Sequence, residues 1–142
     1  MQTERTINQL KVAAGITIGF GLIGLLGTRP ATSAVTQFLI DLIYWPVDGN
    51  PAYAETGARL LWAISGGSLV GWGVMLWRVA SELYPRSPDL ARSLILTSIG
   101  CWFVLDSAGS IAAGAPVNAL MNVAFLLLFY LPLARRAAPV PQ

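Results

Sequence analysis

Between Arg92 and Arg135 a single side chain, Asp106, carries charge, in a stretch otherwise apolar enough for two membrane crossings. A carboxylate in such a segment is costly to insert, so it turns toward a bundle interior, a polar partner or a water-filled path. Ser107 and Ser110 follow it, and Asn118 and Asn122 come after the breaker Pro116. If the chain reverses near Ala115, Asp106 lies nine residues before the turn and Asn122 seven after it. At about 1.5 Å per residue their depths then differ by about 3 Å. Asp106, Ser107, Ser110, Asn118 and Asn122 thus form one polar cluster, a candidate ligand- or ion-binding site. Amides donate to a carboxylate and accept from a protonated acid, so the cluster accommodates both states. A hydrogen-bonded clamp between two helices is an equally good reading of the same residues.

Other chemistries find fewer supports. There is no His and one Cys, Cys101, which removes histidine-ligated haem, Cys/His zinc sites and an intrachain disulfide. Cys101 sits in an apolar run and is expected to be a small buried residue. Lys11, the sole Lys, falls at the edge of an apolar run, so no Ser has an obvious activating base, and no phosphate loop of known form occurs. No catalytic residue, metal ligand or cofactor is expected, and the balance leans away from an enzyme. A bound lipid or lipophilic ligand remains compatible with the cluster. The net charge of +2 gives no reason to expect nucleic acid.

The elements that must position the cluster are legible in the composition. The 142 residues are 55% hydrophobic and 11% charged, against about 25% charged in soluble domains, which marks a membrane protein. Four apolar runs, 12–28, 60–77, 93–115 and 117–134, each approach the ~20 residues of a spanning helix. The fold expected is all-α: one transmembrane domain over 1–142, a four-helix bundle. The first run resembles a signal peptide, but Arg29 and Pro30 interrupt the cleavage region and an uncleaved helix is expected. A shorter segment, 34–45, places Val35, Phe38, Leu39, Leu42 and Ile43 opposite Thr36, Gln37 and Asp41. It reads as an additional amphipathic helix in the membrane plane, with its polar side toward water.

Seven of the nine basic residues fall on one side of this path, leaving Arg29 and Arg59 on the other. By the positive-inside rule both termini are cytoplasmic. A multi-pass protein of a bacterial inner membrane is the expected setting. The segment from Arg78 to Arg92 reads as a solvated connector, and the tail 137–142 as unstructured.

Glycines offer packing surfaces. Gly15 and Gly19 form a GxxxG, and Gly66, Gly67 and Gly71 line the second span; small residues let helix backbones approach in lipid. Trp62 and Trp77 suit the two interfaces, while Trp72 lies deeper and calls for an indole partner. Arg59, Gly66, Gly67, Gly71 and Gly73 resemble the second-helix pattern of small DoxX-like bacterial membrane proteins. That resemblance implies a four-span bundle and an association with oxidoreductases. The leading expectation is a non-enzymatic accessory or scaffold subunit, self-associating as a homo-oligomer or joining a larger membrane complex among the lipids. The alternatives are a small transporter, channel or lipophilic-ligand binder using the Asp106 cluster, and an oxidoreductase accessory protein.

Overall fold

A computed structural model describes residues 2–49 and 56–134. Helix α1 spans Gln2–Leu26, α2 Ala34–Ile43, α3 Thr56–Arg78, α4 Pro88–Ala112 and α5 Pro116–Ala134, with no strand among the described residues. Four of these helices are long and apolar enough to cross a membrane, and α2 is too short. The protein is an all-α membrane bundle. Asn50 and Pro51 of the turn after α2, together with Arg135, Arg136 and the tail, lie outside the described residues.

Helix α1 starts about ten residues before the apolar run does, because a helix does not stop where lipid stops. Glu4 occupies its first turn, where a negative charge suits the N-terminal dipole. Gly27 closes it, its N–H donating to the Ile23 and Gly24 carbonyls. Helix α3 likewise outruns its apolar run. It continues through a π-helical turn, Val79–Leu83, in which Ala80 is fully buried. The segment from Arg78 to Arg92 is therefore mostly helical, with Arg78, Glu82, Arg86 and Asp89 exposed along it. Arg78 pairs with Glu82 one turn on at 2.7 Å, Pro88 occupies the first turn of α4, and Arg92 donates to the Leu133 carbonyl of α5.

Helices α1 and α3 meet almost backbone to backbone, but not through the GxxxG. A Cβ on Gly21 would stand 2.7 Å from the Gly66 carbonyl oxygen, and one on Gly73 would stand 2.6 Å from Ile18. By contrast a Cβ on Gly15 would make only an ordinary 3.9 Å contact with Trp77, and on Gly19, Gly67 or Gly71 it would meet nothing within 4 Å. The seam instead follows the three-four spacing Ala14, Thr17, Gly21, Gly24, answered by Gly66, Gly73 and Ala80 at seven-residue intervals. Seven-residue periodicity keeps one stripe facing a partner, whereas Gly15 and Gly19 lie to one side of it. Of the five expected packing glycines, Gly66 alone lies in this seam.

The dry core lies toward the N-terminal half of α1. Leu10, Ala13 and Ala14 pack there with Leu76 and Ala80, Ile95 and Ile99, and Phe129 and Leu133. On helix α2 the polar side departs from its expected place in water, since Thr36 and Asp41 are buried, while Phe38 is 56% exposed as a side facing lipid would be. Thr36 Oγ1 donates to the Ile23 carbonyl at 2.8 Å. The Asp41 carboxylate accepts the Asp48 and Gly49 backbone N–H groups at 3.2 and 2.9 Å. Polar side chains here satisfy backbone groups, and lipid provides a suitable surrounding for the apolar side. Cys101 is also exposed on the surface of α4 and not buried.

Candidate functional site

The α4–α5 turn sets the register of the polar cluster. Gly114 takes φ +75°, a left-handed conformation that glycine adopts without strain. Its N–H donates to the Ile111 carbonyl, and the Ala115 N–H reaches back to Ser110, a paired closure of the helix end. Pro116 then begins α5 where its missing N–H costs nothing. Folding the chain about Gly114 puts Ser110 opposite Asn118, four residues to either side, and Asp106 opposite Asn122, eight to either side.

The side chains meet accordingly. Asp106 Oδ2 accepts from Asn122 Nδ2 at 2.6 Å and from Asn118 Nδ2 at 3.2 Å. The second hydrogen of each amide goes to a serine, Asn118 to Ser110 Oγ at 2.8 Å and Asn122 to Ser107 Oγ at 3.2 Å. All five residues of the sequence-derived cluster are thus joined in one network. Asn122 is its deepest member at 5% exposure. Both amides turn N–H first toward Asp106 Oδ2, which accepts from each.

Asp106, Asn118 and Asn122 of the network contribute to the wall of a half-open cavity of about 470 Å³ between the helices. They line it with Phe20 from α1, Leu39 from α2, Trp62 from α3, Trp102 from α4, and Met121 and Phe125 from α5. The rings are themselves clustered: Trp102 lies 5.0 Å from Phe125 and 5.9 Å from Trp72, centre to centre. Trp72 is tilted against Trp102 at 47° and stacks on Phe125 at 6.5 Å. A cavity of this size with a few converging polar groups suits a small organic molecule.

Trp102 and Phe125 were not singled out from sequence. A signal existed, since Trp102 precedes Asp106 by one turn and Phe125 follows Asn122 by three residues, so each shares a helix face with a polar residue. A larger and more open groove, about 690 Å³, runs between α1 and α5 near Glu4, Arg5 and Asn8. It contains none of the cluster residues. Among the described residues no group of three His, Cys, Asp or Glu side chains could hold a metal ion. No protein-family model, curated protein or solved structure matches this chain.

Proposed function

We propose that this membrane protein binds a lipophilic small molecule within its helical bundle, orienting the ligand by the Asp106 network. The observation that carries this reading is the joining of a hydrogen-bonded carboxylate to a half-open aromatic cavity, with contributions from all five helices. A clamp alone needs no cavity beside it. The orientation favoured by the basic residues, both termini cytoplasmic, puts the cavity in the outer half of the membrane, and a bacterial inner membrane remains the proposed setting.

Native mass spectrometry of the protein released from mild detergent tests the reading. A bound small molecule should accompany the wild type and be lost from Met121→Trp, whose indole fills the cavity. An adduct equally abundant in both would place the ligand elsewhere and defeat the proposal.

A second reading, an accessory or scaffold subunit, is favoured by Gly67 and Gly71, exposed on α3 with open space where a Cβ would stand. Such a surface admits close approach by another helix, from a second copy or a different chain. Gly67→Leu with Gly71→Leu should reduce assembly size on a detergent column if this surface is an interface, and an unchanged size would remove it.

A further inference from the structure

The atoms that the polar network leaves over define a ligand class, an inference that rests on the cavity reading. Every amide hydrogen of Asn118 and Asn122 is used inside the network. Among the described residues no hydrogen bond engages Asp106 Oδ1, Asn118 Oδ1 or Asn122 Oδ1. Nor are these oxygens sealed, because Arg59 Nε is the only fully enclosed side-chain nitrogen or oxygen without a partner among the described residues. Each keeps some open surface, and the three residues that carry them line the cavity. Ser107 and Ser110 retain hydroxyl hydrogens but do not line it. The residues of the polar wall thus carry free acceptor oxygens, one of them a carboxylate oxygen, and share the cavity with Trp62, Trp102 and Phe125.

We propose that the cavity takes a lipophilic ammonium, a protonated primary or secondary amine attached to an aromatic or similarly apolar body. Its N–H groups donate to the free oxygens, its charge answers Asp106, and the rings add cation–π attraction. Each rival head group lacks one of these. Ketones, quinones and esters only accept, so they meet a wall of acceptors with nothing to offer. A carboxylic acid in its anionic form brings like charge against Asp106. A bare hard cation asks for about six or more oxygen ligands, and the remaining walls are hydrocarbon.

Four matched probes separate these outcomes: naphthylmethylamine, naphthylmethanol, naphthaldehyde and naphthoic acid, titrated against the intrinsic tryptophan fluorescence of the purified full chain. The amine should bind about tenfold or more tighter than the alcohol, as one charge-assisted hydrogen bond implies. The aldehyde and acid should bind more weakly than the alcohol. Asp106→Asn should bring the amine to the level of the alcohol, and Asp106→Glu, which keeps the charge, should retain the preference. Circular dichroism and thermal unfolding establish that both variants are folded.

Acid or aldehyde binding as tightly as the amine, or an amine preference that survives Asp106→Asn, would overturn the ammonium assignment. Equal binding of all four probes, abolished by Met121→Trp, would overturn it while leaving the cavity reading intact. Binding of none would defeat both.

Discussion

The two halves of this bundle are built on opposite terms. Toward the N-terminal half of α1, nine buried apolar residues close the space between four helices. Toward the α4–α5 turn, α1 and α3 stay in close contact at Gly21 and Gly66, and a cavity lined by all five helices carries a carboxylate and two amides in its wall. Lipid supplies no hydrophobic force to close a gap between helices, so packing must come from shape and hydrogen bonds. The dry half uses shape. The other half uses hydrogen bonds to hold α4 to α5 across an opening that side chains do not fill. The contrast teaches that the polar network can stabilise the hairpin and still leave acceptor atoms for something else.

The largest effect that could break this comparison comes from truncating matched phenylalanines. Phe129, fully buried in the dry half, should cost about 3–5 kcal/mol when replaced by Ala. Phe125→Ala, which enlarges a space already open, should cost about half as much by the same reasoning. Reversible unfolding in mixed detergent measures both, and equal losses would mean that the cavity half is as tightly packed as the other.

Next comes the α1–α3 seam, which ties the halves together. Gly66→Leu should cost about 3 kcal/mol or more, since its Cβ would stand 2.7 Å from the Gly21 carbonyl oxygen. Gly19→Leu should change stability by less than about 0.5 kcal/mol, because its Cβ position is open. The same unfolding assay, run at a protein concentration where assembly size is constant, reads the pair. A reversal of their order would return the packing face to the GxxxG.

Asp106→Leu should cost about 1–2 kcal/mol, for it takes an acceptor from two amides at once. Asp106→Asn, able to keep one or both contacts after rotation, should cost less than about 1 kcal/mol. The smallest expected effect is Thr36→Val, which removes the hydroxyl bond from α2 to α1 and should cost about 1 kcal/mol or less. Its sharper readout is backbone hydrogen exchange, which should rise within α2 and remain unchanged in α4.

The pairing of Asp106 with Asn122 was legible in the sequence because a turn signal, Gly114 before Pro116, stands almost midway between them. A hairpin has one degree of freedom, its register, and the turn residues specify it. The number and approximate position of the spans were legible from charge spacing for the same local reason. Helix ends were less so, since α1 and α3 extend past their apolar runs into regions where polar residues are equally at home. The α1–α3 seam was not legible, because the Gly15 and Gly19 pair motif does not name its partner, whereas the contact along the whole helix follows a seven-residue period that passes through Ala14 and Gly21. On α2 the exposed Phe38 agrees with a side facing lipid, whereas the polar side is not turned to water, because Thr36 has an α1 carbonyl to satisfy and Asp41 the backbone N–H groups of Asp48 and Gly49. The cavity is a property of four separate chain segments converging with α2, and no local pattern encodes an unfilled volume.

Chemical access to the two halves tests this account most directly. In a Cys101→Ala background, single cysteines at Met121, which lines the cavity, and at Ile99, which is fully buried in the dry half, can be reacted with N-ethylmaleimide in detergent. The Met121→Cys thiol should be modified readily and protected by naphthylmethylamine, while the Ile99→Cys thiol should react only on unfolding. Equal rates at the two positions, with no protection at either, would contradict the division of the bundle into a closed half and a binding half.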